Sequence, residues 1–317
     1  MATKKKLKLK VKIKWKNVIL LLLITILIIF LLVKWIGWMA KSLQNEEKQE
    51  PKVKEIKKEN KKQKEKTEEE KKLDKLNNIN KTIDYFNMNY LDRYITYKEN
   101  NNNLDNQQII KNVNMNLDKK YYEETEPAKY LNTPQILVNK HYYLENNYEP
   151  ENLETISTKY ALSGMRLVKE AKEAFEKMSA DAKKENMNII AMSTYRSYEY
   201  QVDLYNRYVK QDGKEAADKY SGRPGHSEHQ TGLAVDVFDN EIDYTKFEKT
   251  NEFKWMDKHA HEYGFILRFP KDKENETGYI YESWHYRYVG IDAAKYIKEN
   301  NISFEEYYAT KIKDWIN

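Results

Sequence analysis

The chain has 317 residues, enough for one sizeable domain with accessory segments. It contains no cysteine, which excludes disulfides and Cys-ligated metals, so a bound metal must use His and carboxylate ligands. The net charge is +5, but residues 1–17 hold eight lysines and no acid; removing those eight leaves −3, and nothing in the remainder points to a nucleic-acid surface.

The basic tail (1–17) precedes an apolar run from Val18 to Val33, interrupted only by Thr25. Beyond Lys34 the apolar character continues through Trp35 to Ala40. The span 18–40 is long enough to cross a bilayer, and the lysines before it predict a cytoplasmic N-terminus. Trp38-Met39-Ala40 lacks the small-x-small pattern of a cleavable signal peptide, so the expectation is an uncleaved transmembrane anchor with the rest of the chain extracytoplasmic. Residues 41–81 are rich in Lys, Glu and Gln and predict a charged, solvated linker. Residues 82–134, with a polar loop at Asn100–Asn103 between Tyr- and Ile-containing stretches, predict an accessory helical or mixed region.

Residues 135–317 form the main domain. Eight of the nine glycines lie between Gly164 and Gly290, so tight turns concentrate here. The spacing of Met165, Val168, Ala171, Phe175 and Met178 predicts a helix. A buried strand is expected at Ile189–Ser193, a helix at Tyr198–Lys210 and a strand at Leu233–Phe238. A helix over Phe253–Tyr263 should stop at Gly264. Further strands are expected at Phe265–Phe269 and Tyr279–Tyr288, and amphipathic helices at Asp292–Asn300 and Phe304–Ile316. The pattern is α+β, an antiparallel sheet core with flanking helices.

Two segments carry the chemistry: Ser227-Glu228-His229-Gln230-Thr231-Gly232-Leu233-Ala234-Val235-Asp236, and Glu282-Ser283-Trp284-His285 some fifty residues later. They offer two imidazoles, a ligating carboxylate and a spare carboxylate beside the second imidazole. That is the inventory of a catalytic zinc site with three protein ligands, an open position for water and a separate base. His229 and Asp236 are seven apart with Gly232 between them, which suits a bend leading into a strand rather than one helix. Zn²⁺ with two neutral imidazoles and one aspartate retains a charge of about +1, enough to acidify a bound water. Glu282 is the expected base and then proton donor to the leaving amine. Arg196 is the candidate to stabilise an oxyanion or bind a substrate carboxylate. His226, three residues before His229, is the alternative ligand but would leave Asp236 unexplained. His259 and His261 fall in and after a helix with structural or exposed roles, and His141 has no neighbours that suggest chemistry.

These residues resemble the VanY-type D-alanyl-D-alanine carboxypeptidases, within the zinc-peptidase fold group that includes lysostaphin-like enzymes and hedgehog domains. The resemblance covers about Ile136 to Gly290. It rests on Leu137-Val138-Asn139-Lys140, on Tyr195-Arg196-Ser197 with Gln201, on Pro224-Gly225-His226 running into the first segment above, and on Glu282-Ser283-Trp284-His285-Tyr286-Arg287-Tyr288-Val289-Gly290. It implies one zinc per chain on His229, Asp236 and His285, with Glu282 as base. It also implies that Arg196, Gln201 and Ser227 contact a substrate peptide, and Trp284 is placed with them as a substrate contact.

The function expected from resemblance and topology together is a membrane-anchored zinc D,D-carboxypeptidase. It would hydrolyse the terminal D-Ala–D-Ala bond of peptidoglycan stem peptides through a Glu-activated, zinc-bound water, on the side of the membrane facing the cell wall. An L,D-carboxypeptidase trimming the tetrapeptide stem is the alternative within the same chemistry. A non-catalytic, zinc-stabilised wall-binding module is the alternative of a different class, and intact Glu282 and Arg196 count against it. No nucleic acid and no obligate protein partner is expected.

Overall fold

The computed structural model describes residues 24, 26–39, 66–78 and 82–312. Two compact units emerge, residues 1–67 and Glu68–Asn317. In the first, residues 26–39 are helical and their apolar side chains are exposed. Among the described residues no helix is long and apolar enough to cross a membrane. The basic tail, the start of the expected span at Val18 and most of the linker lie outside the described residues.

The second unit begins with helix α1 (Glu68–Lys75), followed by α2 (Leu91–Asn100) and α3 (Asn106–Asn114). Leu76, Tyr94, Ile109, Ile110 and Val113 are completely buried in one apolar cluster, so the C-terminal end of the charged stretch joins these helices. Asp105 caps α3 by accepting from the Gln108 amide. Lys111 of α3 pairs with Glu306 at 2.8 Å, tying this corner to helix α9 (Phe304–Lys311).

The core of the unit is a four-stranded sheet in the order β5 (Ile190–Ser193), β6 (Ala234–Phe238), β8 (His285–Tyr288), β7 (Phe265–Leu267). Every neighbouring pair in it is antiparallel, as the residue pattern predicts. Two small sheets accompany it: β1 (Glu126–Pro127) with β2 (Tyr142–Tyr143), and β3 (Leu153–Thr155) with β4 (Arg166–Val168). Helix α4 (Lys169–Lys184) buries Ala171, Phe175, Met178 and Ala182, a helical repeat, and its Phe175 meets Phe265 of β7 edge-on at 6.1 Å. Helices α5 (Tyr198–Asp212) and α6 (Lys214–Tyr220) follow β5, α7 (Asn251–His259) precedes β7, and α8 (Ile291–Asn300) follows β8. Strand alternation gives the sheet two faces. Val235, Val237, Tyr286 and Tyr288 join the core cluster, while Asp236 and His285 stand on the opposite face.

Three expected elements differ. The helix expected from Met165 starts only at Lys169, because Arg166–Val168 pairs with β3 and the Val168 amide bonds the Gly232 carbonyl. The strand expected over Tyr279–Tyr288 is confined to His285–Tyr288. Ahead of it, the amides of Ile280 and Glu282 bond separate segments, at Lys219 and Phe269, so no continuous ladder can form. Helix α9 ends at Lys311, and the last residues of the expected Phe304–Ile316 helix lie outside the described residues.

Candidate active site

One turn of 3₁₀ helix, Glu228–Thr231, delivers His229 and then passes into β6 through Gly232. Gly232 has φ +67°, and a Cβ there would stand 2.8 Å from Leu153 Cδ2, so the bend needs glycine. Asp236 follows on β6. Its register partner across the β6–β8 pair is His285. Two donors thus come from paired strands and the third from a turn packed over them.

The three side chains are buried, and one ligand atom from each lies within 4.8 Å of the others; this is the metal-competent group among the described residues. His229 Nδ1 lies 2.7 Å from the Thr194 carbonyl, which can only accept, so Nδ1 carries the proton and Nε2 turns its lone pair toward Asp236 Oδ2 at 3.3 Å. Burial, with the Arg196 charge close by, pushes His229 down to about 4 and keeps it neutral, the form a metal needs. His285 Nδ1 lies 2.9 Å from Asp236 Oδ1, and its ring stacks on Phe269 at 4.9 Å. Burial alone would lower His285, but Asp236 and Glu228 raise it to about 9, so this cluster of acids favours a cation in its midst. Burial would likewise raise Asp236, yet His229 and His285 hold it well below the usual carboxylate range. Two imidazoles and a carboxylate converging in a buried site fit Zn²⁺ in donor type, in number and in the neutral state of His229.

Glu282 Oε2 stands 3.9 Å from His285 Nδ1, at the edge of the donor set and outside it. Burial, reinforced by the Asp236 charge, pushes its carboxyl up to about 8. A carboxylate that readily takes a proton beside three ligands is what a hydrolytic base requires.

The group lies at the floor of a cleft of about 480 Å³ lined by Arg196, Gln201, Ser227 and Trp284 as well as the donors and Glu282. Arg196 follows β5, immediately before Ser197, which caps α5. Its guanidinium donates to Ser193 Oγ at 2.7 and 3.0 Å and to Asp236 Oδ2 at 2.6 Å. The expected anion-binding arginine is therefore in the cleft, held through the Asp236 carboxylate of the candidate donor set. Gln201 donates to the Gly222 carbonyl at 2.7 Å, and its buried Oε1 has no partner. Trp284 packs edge-on against Tyr244.

His226 does not join the donors: its Nδ1 lies 2.7 Å from the Asn139 carbonyl and its ring meets Tyr122. His259 is held near Glu262, and His141 is buried against Tyr121. Sequence reasoning missed two features. Tyr200, Tyr208, Tyr220 and Tyr244 line the cleft, which no local motif announces in a chain with 26 tyrosines. Glu228, Arg268 and Arg287 form a buried ion cluster beneath His285, and the placement of Glu228 inside the first segment was its only signal.

The model of the VanY family, described as D-alanyl-D-alanine carboxypeptidase, matches residues 164–291. The putative carboxypeptidase YodJ of Bacillus subtilis (strain 168) is 38% identical over 210 residues, covering 62% of this chain and 77% of that protein. A solved structure of the LdcB LD-carboxypeptidase superimposes with a TM-score of 0.55 at 38% identity, covering 60% of this chain and 92% of that one. VanYB in complex with D-alanine-D-alanine superimposes with a TM-score of 0.50 at 33% identity, over 56% of this chain and 98% of that one. With its donor set, spare carboxylate and cleft arranged on this fold, the chain belongs to the VanY family of D-alanyl-D-alanine carboxypeptidases.

Proposed function

We propose that the chain is a zinc metallocarboxypeptidase that removes the C-terminal residue from peptidoglycan stem peptides, acting as a D,D-carboxypeptidase on the D-Ala–D-Ala end. The observation that carries this is Glu282, a buried carboxyl raised to about 8 that stands 3.9 Å from His285 Nδ1 without belonging to the donor set. A module that only bound peptide would have no use for a buried, proton-hungry carboxyl at that position.

His229, Asp236 and His285 would hold the zinc. Bound there, it would supply Lewis acidity toward water and toward the scissile carbonyl. Glu282 takes the proton from the attacking water as the new C–O bond forms at the carbonyl carbon. It then returns that proton to the amine nitrogen as the C–N bond breaks, leaving a free carboxylate and a free amino acid. Arg196, in the same cleft, places a fixed positive charge for the substrate's terminal carboxylate. Gln201, whose unpartnered Oε1 is buried at the cleft wall, accepts a hydrogen bond from the peptide. Ser227 and Trp284 complete the wall.

The second reading is L,D-cleavage of the tetrapeptide stem, favoured by the higher identity and TM-score with the LdcB LD-carboxypeptidase. Incubating zinc-loaded protein with pentapeptide and tetrapeptide stems and weighing the products separates the two. Loss of one alanine from the pentapeptide alone supports D,D-cleavage, and loss from the tetrapeptide alone replaces it with L,D-cleavage.

Anchoring by residues 18–40, with the enzyme facing the wall, is part of the same proposal. It is supported by the apolar run behind eight lysines. Recovery of the full chain in the soluble fraction after cell lysis would overturn it.

A further inference from the structure

His285 has two ring nitrogens with different surroundings. Nδ1 faces Asp236 among the donors, while Nε2 points away from them toward Glu228 Oε2, 3.6 Å distant. That gap exceeds a hydrogen bond, yet both atoms are fully buried and neither has a hydrogen-bond partner. A shift of about half an ångström would join them.

The other oxygen of Glu228 is firmly held. Oε1 accepts from Arg268 Nε at 2.8 Å and from Arg287 Nη1 at 3.0 Å. Arg268 also grips Glu305 with both terminal nitrogens, at 2.9 and 2.6 Å, and Arg287 donates to the Ile136 carbonyl at 2.6 Å. None of the four charged side chains is more than 3% exposed. Two carboxylates balance two guanidiniums, but a buried ion cluster of this kind is costly to desolvate and no more stabilising than apolar packing of the same shape. Stability alone does not account for it. What the cluster does achieve is a carboxylate fixed behind one metal ligand, on the same turn that supplies another.

We propose that Glu228 is the positioning residue for His285, its Oε2 accepting the Nε2–H so that Nδ1 is left unprotonated toward the donor set. This rests on the zinc reading above. A single 3₁₀ turn then serves both imidazoles: His229 as a donor itself, and Glu228 by setting the tautomer and ring orientation of the other. Arg268 and Arg287 are the clamp that aims Glu228.

The test is Glu228→Gln in the full chain. Because both guanidiniums donate to Oε1, the glutamine carbonyl takes that place and its NH₂ faces His285, donating to Nε2 and driving the ring proton onto Nδ1. Zinc affinity, titrated with Zn²⁺ against a chromophoric chelator, should fall about 10–100-fold. Long-range ¹H–¹⁵N spectra of the zinc-loaded parent should show His285 protonated at Nε2 with slow solvent exchange. The spectra need no variant, so they decide the matter even if Glu228→Gln fails to fold. A folded Glu228→Gln that binds Zn²⁺ within twofold of the parent, or a parent His285 without a proton on Nε2, overturns the inference alone. A parent that takes up no Zn²⁺ overturns the metal reading and this inference together.

Discussion

Asp236 and His285 are direct register partners across the β6–β8 pair, and the carboxylate and imidazole they carry meet at 2.9 Å. Backbone pairing, not loop conformation, therefore sets the spacing of two donors. A slip of one residue by either strand would turn that strand's donor to the core face and break the pair.

Loss of a donor should follow from this directly. His229→Ala and Asp236→Ala are each expected to lower zinc occupancy from one per chain to a small fraction, with turnover falling in parallel by about 10³-fold or more. Elemental analysis after gel filtration, set against turnover of the same sample, checks it. Either variant with full zinc would remove that residue from the donor set.

The bend at Gly232 makes its own prediction. Gly232→Ala places a Cβ on a residue with φ +67°, 2.8 Å from Leu153 Cδ2 and 3.2 Å from Val168 Cγ1. The expected cost is roughly 1–3 kcal/mol in urea unfolding, with weaker zinc binding because His229 and Asp236 flank the bend. An unchanged unfolding midpoint would show that the turn has room to relax.

How much of this was legible in the chain depended on whether the information was local. His229, Gly232 and Asp236 sit within eight residues, and the alternation of Ala234–Phe238 announces the strand that carries Asp236, so these two candidate donors and the bend between them are legible in the sequence. Arg166–Val168 reads as helix because its spacing suits a helical face, while the β3 strand and Gly232 carbonyl that claim its backbone are distant in sequence. Tyr279–Trp284 carries strand-forming residues but finds its backbone partners in two separate segments. The Glu228–Arg268–Glu305–Arg287 cluster draws on four distant positions, and charged residues in sequence ordinarily signal surface.

His141 supplies a pH prediction away from the metal. It is 2% exposed, neither ring nitrogen has a hydrogen-bond partner, and burial, with Lys119 near, pushes it down to about 4. The unfolded chain binds this proton near pH 6.5 and the folded chain only near 4, so stability is full above 6.5 and is lost as pH falls through that window. Between pH 7 and 5 the loss should be roughly 2 kcal/mol, and His141→Gln should remove most of it. Urea titrations of both proteins at the two pH values check this, and equal pH dependence would assign the acid lability elsewhere.

Arg196 should separate recognition from metal binding. Arg196→Ala is expected to keep zinc while lowering kcat/KM about 100-fold, the loss of a charge-assisted hydrogen bond. It should also erase the preference for a free terminal carboxylate over the corresponding amide. Retained discrimination would mean that Arg196 serves Asp236 alone, through the 2.6 Å contact seen here.

The most direct test weighs the products of a stem pentapeptide after incubation with the parent chain and with Glu282→Ala, each verified to hold one zinc. Loss of a single alanine is expected with the parent, and a rate lower by about 10²–10⁴ with the variant. No mass loss with the zinc-loaded parent, or an undiminished rate in zinc-loaded Glu282→Ala, would contradict it.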